Sequence, residues 1–384
     1  MGISNTWRRL LITLALVPLA VLALEAGLRF VALDDPGSWR DLSVMPRDQG
    51  VLQEQYAFDP VVGHTAAPHY RFYDKVGWPL HPIRITTVER GIRVNTSERG
   101  REHDLKGRTG GILAVGESFT FGSEADDHET WPAFLEGTLG FPVINAGADG
   151  HGIDQTFLRA RQLVKATGPR WIVFGVVPDS VHRSQLSING GFPKPYFDVE
   201  EGDLVLHDPR LDGQEAPLGA AGYSYLLCRL ADLTGLVTRC PRVKLDFQVE
   251  HDRGVQVSCG IMTRLKALSQ AHGAHALVFA QYPALQALPP DSGFEEDPSF
   301  DREGFREVLD CARGAGLEVV DSLPVLHRYF KDSFPGNPDR FWGLFVRHEH
   351  DGAVPTGHLS AAGNRMMAQL LASALKPRLE SPSP

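Results

Sequence analysis

Residues 171–177 read WIVFGVV, seven residues in succession without a polar side chain. A strand wetted on one face alternates apolar and polar residues. A run without alternation belongs to a strand covered on both faces, as in a parallel sheet between helical layers. Shorter, mostly apolar runs stand at residues 112–115 (ILAV), 143–145 (VIN), 276–279 (ALVF) and 317–320 (LEVV). Helical spacing fills the intervals. Residues 129–139 place Trp131, Phe134, Leu135 and Leu139 on one face, and residues 155–167 stop at Gly168-Pro169. Residues 257–272, 302–315 and 360–375 continue the pattern. Strands alternating with helices predict an α/β fold with a mostly parallel sheet.

Three segments depart from that rhythm. Residues 34–110 are rich in Pro, Gly, Arg and His, with short alternating stretches such as IRITTV at 83–88. They read as a lead-in with a few strands packed on the main domain at 111–378. Residues 184–250 read as an insertion with a hairpin, carrying GGFPKPYF at 190–197 and the acidic turn EEGD at 200–203. Residues 1–33 form the third segment. Their uncharged run LLITLALVPLAVLAL at 10–24 follows Trp7-Arg8-Arg9. A membrane span needs roughly 20 apolar residues. The run reaches that length by extending to Leu33, with Arg29 snorkelling and Glu25 near the headgroups. The arginines in front predict a cytoplasmic N-terminus and an extracytoplasmic, periplasmic body on a single-pass anchor. A cleaved signal peptide is the competing reading.

Charge and cysteine usage narrow the function. The chain of 384 residues carries 47 acidic and 38 basic side chains, which excludes a nucleic-acid surface, since phosphate binding needs clustered Lys and Arg. The cysteines at 228, 240, 259 and 311 have no metal-ligand spacing. Cys228 and Cys240 are close enough in sequence to pair in an exported protein, and buried free thiols are the other reading.

Chemistry concentrates at the strand ends, where reactive groups collect in doubly wound sheets. Gly116-Glu117-Ser118-Phe119-Thr120-Phe121-Gly122 follows the 112–115 run, Gly147-Ala148-Asp149-Gly150-His151-Gly152 follows 143–145, and Pro178-Asp179 follows 171–177. Gly357-His358-Leu359-Ser360-Ala361-Ala362-Gly363-Asn364 precedes the last helix. A serine becomes a nucleophile only beside a base and an oxyanion hole. Ser118, a glycine loop rich in backbone N–H groups and His358 supply these elements.

These blocks resemble those of the SGNH/GDSL hydrolases over roughly residues 111–378. The resemblance implies a flavodoxin-like three-layer α/β/α sandwich, with Ser118 as nucleophile and oxyanion donor, Gly150 as second donor and His358 as general base. It implies neither metal nor organic cofactor. Besides Glu117, which stands for the Asp of the first block and is expected to brace the turn, two positions depart from the family pattern. Pro178 occupies the slot of an oxyanion-binding Asn, a donor whose loss costs roughly 3 kcal/mol of transition-state stabilisation. Asp179 belongs to the same polar turn; either His182 or a donor from the 184–250 insertion replaces the missing amide, or turnover is slow. Pro355 occupies the slot of the triad acid. Asp351 is the expected substitute, with Glu349 or a Ser–His dyad as alternatives.

The implied function is a membrane-anchored, extracytoplasmic serine hydrolase or O-acyltransferase. Its expected substrate is an acylated small molecule, glycan or lipid, with carbohydrate O-acetyl groups the first expectation. The alternative is an inactive SGNH-like domain that binds a glycan or partner, with Phe192, Tyr196 and Phe197 as its exposed aromatics. A nucleotide-binding fold is disfavoured, because the 116–122 loop has neither a P-loop lysine nor GxGxxG spacing.

Overall fold

The described part of the lead-in contains two antiparallel strand pairs. Strand β1 (Tyr56–Asp59) pairs with β2 (Gly63–Ala66), and β3 (Arg71–Val76) with β4 (His81–Thr86). The first turn forms because Asp59 Oδ1 accepts from the N–H groups of Val61 and Val62 at 2.8 and 3.1 Å. The computed structural model describes residues 55–76, 81–96, 109–186, 188–189, 192–207, 251–294, 301–349, 351–352 and 354–379. All of them fall within one unit, residues 48–207 and 250–384. The expected anchor at 1–33 and the Cys228–Cys240 pair lie outside the described residues. Among the described residues no helix is long and apolar enough to cross a membrane.

The centre is a five-stranded, wholly parallel sheet. It contains β5 (Ile112–Val115), β6 (Val143–Asn145), β7 (Trp171–Val176), β10 (His275–Ala280) and β11 (Glu318–Asp321), in the order β11-β10-β7-β5-β6. β5, β6 and β7 are buried at every position, as their apolar runs require. The order reverses direction between β5 and β7. Open α/β sheets bind ligands in the crevice at such a point, beyond the carboxyl ends of the strands.

Helices cover both faces. After the one-turn helix α1 (Ser118–Phe121), α2 (Trp131–Leu139) packs with the last helix, α9 (Ala361–Leu379), on one face. On the other, α3 (Ile153–Thr167), α5 (His251–Ala271) and α6 (Arg302–Gly314) pack in series. Thr130 caps α2 by accepting from Ala133 N at 3.3 Å. Asn364 joins the two helices of its layer: its Oδ1 accepts from Trp131 N at 3.0 Å, and its amide donates to the carbonyls of Leu359 and Ser360. A disulfide between Cys259 and Cys311 links α5 to α6, so these two cysteines are not the free thiols that spacing left open. Three further helices, α4 (Pro178–Arg183), α7 (Leu323–Ser333) and α8 (Pro338–Trp342), follow strand ends or connect them.

The described part of the insertion contains the hairpin β8 (Tyr196–Glu200) and β9 (Asp203–His207). Glu201 and Gly202, at φ 52° and 91°, form its turn, the primed geometry that suits two-residue hairpins. Phe197 is fully buried, 6.0 Å from the Phe157 ring, and Tyr196 stacks on His207 at 5.3 Å. Phe197 is therefore not the exposed aromatic expected of it, while Tyr196 is half-buried. The side chain of Phe192 lies outside the described residues.

Candidate active site

The turn that carries Ser118 begins where β5 ends. Glu117 caps α1, its Oε1 accepting from Phe119 N at 3.0 Å, and Gly122, at φ 81°, terminates the helix after one turn. The turn needs glycines on both sides. A Cβ on Gly116 would stand 2.1 Å from Thr120 Oγ1, and one on Gly147 would stand 2.4 Å from Phe121 N. The chain thus doubles back immediately and presents Ser123 and Glu124 beside Ser118.

The lead-in fixes that segment. Arg93 is fully buried. It donates to the carbonyls of Phe121 at 2.8 Å, Gly122, and Ala125 at 2.5 Å, and to Asp127 Oδ1 at 3.2 Å. Asp127 also accepts from Thr86 N at 2.9 Å, and Asp126 from Arg84 N at 3.1 Å. Residues 121–127 are therefore stapled to β4 and the segment after it. A buried charge of this kind is tolerated only when paired and hydrogen-bonded on all sides.

Ser118, His358 and Glu124 stand in line. Ser118 Oγ is 2.8 Å from His358 Nε2, and His358 Nδ1 is 2.9 Å from Glu124 Oε2. The same carboxylate oxygen accepts from His358 N at 2.5 Å, and Oε1 faces His348 Nε2 at 2.5 Å. Burial works against the charged form of Glu124. The hydrogen bonds and charge of His358, joined by the bond from His348, outweigh it and hold the carboxyl down at about 2. Burial likewise opposes the His358 imidazolium, but the hydrogen bond and charge of Glu124, aided by Glu117 and Asp149, raise its pKa above the usual 6.5. A carboxylate on Nδ1 leaves Nε2 as the atom that takes the serine proton.

Glu124 corrects the expectation that Asp351 orients the histidine. The Asp351 carboxylate is occupied within its own loop, accepting from His348 N at 2.8 Å, Thr356 N at 2.9 Å and Thr356 Oγ1 at 2.6 Å. Glu349 is exposed. The signal for Glu124 was present in the sequence, an acid six residues past the serine and just beyond a helix-ending glycine.

Glu117 makes a contact that spacing did not foretell. Ser118 Oγ donates to Glu117 Oε2 at 2.6 Å while standing within reach of His358. A hydroxyl has one proton and serves one acceptor at a time. Burial raises the Glu117 pKa, against the lowering influence of Arg183, Ser118 and His358. A protonated Glu117 would donate to Oγ and release the serine proton to His358.

The remaining candidates divide. Gly150, at φ 69°, borders a cavity of about 390 Å³ with Ser118, His358 and Asp149. Asp149 is held by Tyr56, whose hydroxyl donates to Oδ2 at 2.8 Å, and by Ser123. Asp179 and His182 do not line this cavity. Asp179 accepts from Gln286 at 3.2 Å and pairs with Arg183 at 3.5 Å, and His182 is exposed beside Gln185. Neither therefore brings a donor to this cavity in place of the side-chain amide absent at Pro178. Among the described residues one cluster, Asp198, Glu200 and His207, brings three potential metal-ligand atoms within 4.8 Å of one another. It sits on the β8–β9 hairpin, where Arg253 already pairs with Asp198 and His207 with Glu200.

No protein-family model and no curated protein matches this chain. Solved structures do, and many of them are named GDSL or SGNH hydrolases. LAE5, an alpha/beta hydrolase from the metagenome of Lake Arreo, Spain, shares 13% identity with a TM-score of 0.40, over 70% of this chain and 96% of its own. A protein assigned as a lipolytic member of the G-D-S-L family, from Desulfitobacterium hafniense, shares 13% with a TM-score of 0.34, over 69% and 98%. TesA shares 15% with a TM-score of 0.34, over 69% and 98%.

Proposed function

We propose that this chain is a serine hydrolase or acyltransferase of the SGNH type, acting on ester-linked acyl groups. The observation that carries the reading is the Ser118–His358–Glu124 line, with hydrogen-bond distances of 2.8 and 2.9 Å. Ser118 Oγ attacks the ester carbonyl carbon as its proton passes to His358 Nε2. The developing oxyanion meets the N–H groups of Ser118 and Gly150. The C–O bond to the alcohol breaks, and His358 returns the proton to the departing oxygen. Water or a second hydroxyl then attacks the acyl-serine, loses its proton to His358, and frees Ser118. Glu124 keeps Nδ1 protonated and steadies the imidazolium throughout.

An extracytoplasmic location is part of the proposal. It is supported by the apolar run at residues 10–24 and by the Cys259–Cys311 disulfide, since disulfides persist in oxidising compartments. The carbohydrate O-acetyl expectation rests on fold-level analogy and the expected anchor. An inert binding domain is disfavoured, because binding alone requires no aligned acid, base and nucleophile.

The test is covalent labelling of the full-length chain with a fluorophosphonate and mapping of the modified residue by mass spectrometry. Labelling at Ser118, lost in both Ser118→Ala and His358→Ala, is the expected result. A folded protein that leaves Ser118 unlabelled would overturn the reading.

A further inference from the structure

The cavity at Ser118 has two chemically different ends. Its polar side holds Ser118, Ser123, Asp149, Gly150 and His358, of which Ser123 and Asp149 already bond one another. The other side is apolar and comes mainly from the lead-in: Ala66 on β2, Phe72 on β3, and Ile83 and Ile85 on β4, joined by Phe121 from the nucleophile's own helix. These five side chains form an apolar cluster separate from the main core. The Tyr70 ring stacks on Phe72 at 6.3 Å and extends the wall. Apolar clusters inside proteins normally fill their own space at crystal-like density. This one borders an open volume that ends at the reacting serine.

We infer that the apolar half of this cavity is an acyl chamber, and that the substrate is an ester of a hydrophobic acyl group of about six to ten carbons, with about 30 Å³ allowed per water-sized group. The inference rests on the serine-hydrolase reading of the same site. At that allowance a cavity of about 390 Å³ takes roughly a dozen heavy atoms. The ester carbon and its two oxygens use about three, leaving on the order of ten for the chain. An acetyl group would leave most of the chamber volume unfilled. Size and lining both match small-molecule sites, which are largely apolar with a few placed polar groups. The lead-in is then the specificity wall of the enzyme as well as the brace for residues 121–127.

The test is a series of p-nitrophenyl esters, acetate to dodecanoate, hydrolysed by the full-length chain. Burying one methylene changes kcat/KM by roughly threefold to fourfold, so hexanoate should exceed acetate by on the order of a hundredfold. Two variants separate chamber from fold. Ile83→Trp fills the volume and should lower the hexanoate-to-acetate ratio at least tenfold. Phe72→Ala widens it and should move the optimum to longer chains. Opposite shifts are not what a merely destabilised protein gives. A flat or acetate-preferring series, in a protein that labels at Ser118, overturns the chamber and leaves the hydrolase reading standing. Failure of Ser118 to label overturns both.

Discussion

Replacing Glu124 by Gln isolates the charge of the triad acid from its shape. The carboxylate now receives the N–H and Nδ1–H of His358 on one oxygen and faces His348 Nε2 with the other. A Gln can keep its oxygen toward His358 and offer its amide to His348, so the 346–358 loop should remain docked. The negative charge beside the imidazole is lost. The hydrogen bond and charge of Glu124 raise the His358 pKa, so the acid limb of kcat/KM should move to lower pH when that charge is removed. The imidazolium formed in the transition state loses its partner, and the plateau should fall between about a hundredfold and ten-thousandfold, roughly 3 to 5 kcal/mol.

The same change has a signature in stability. Glu124 is depressed from 4.5 to about 2, so its contribution is present above pH 4.5 and is lost as pH falls toward 2. His358 is raised above 6.5, so its contribution is full below pH 6.5 and is lost as pH rises through the folded value. The melting-temperature difference between wild type and Glu124→Gln should therefore be largest between pH 4.5 and 6.5. A pH–rate series on one ester, with parallel melts, reads both. A plateau within tenfold of wild type and an unmoved acid limb would refute the triad role of Glu124.

Three other changes give separable outcomes. Asp351→Ala, measured by ester hydrolysis, should cost less than about tenfold, because its bonds to His348 and Thr356 are structural and each net hydrogen bond contributes about 1 kcal/mol; a hundredfold loss would return it to the site. Glu117→Gln keeps an acceptor for Phe119 N and puts a permanent donor against Ser118 Oγ, so activity should stay within about tenfold of wild type and any decline caused by Glu117 deprotonation at higher pH should vanish; a uniform hundredfold loss would show that the carboxylate itself is required. Reducing the Cys259–Cys311 bond, whose partners are 52 residues apart, should lower unfolding free energy by about 4 kcal/mol in a denaturant titration.

The sheet was legible because each central strand is an apolar run too short for a helix and bounded by turn residues. The helices at Leu323–Ser333 and Pro338–Trp342 were not. Pro324 and Pro338 sit in their first turns, where proline starts a helix as readily as it breaks one elsewhere. In the site, Ser118 and His358 were legible from the local pattern around each. Glu124 was missed because the acid was sought at a fixed offset before the histidine, whereas the carboxylate comes from the nucleophile's side. Asp351 is near His358 in sequence, but its oxygens are satisfied within the loop. His182 follows a strand end, yet its one-turn helix leaves it in solvent. The acyl wall had no sequence signal, since alternation in β4 marks Ile83 and Ile85 as buried without saying that they border an open space.

Ser118 and Glu124 share one short turn, while His358 arrives from 240 residues away. Two bonds between Val346 and the segment Gly357-His358, and the bond from Asn364 to Trp131, hold the incoming segment in place. Whatever the order in which the rest assembles, Ser118 stays inert until this closure is made. A fluorophosphonate pulse during refolding would thus act as a stopwatch for a single event, the seating of the C-terminal segment, in a protein whose sheet can already look complete by circular dichroism.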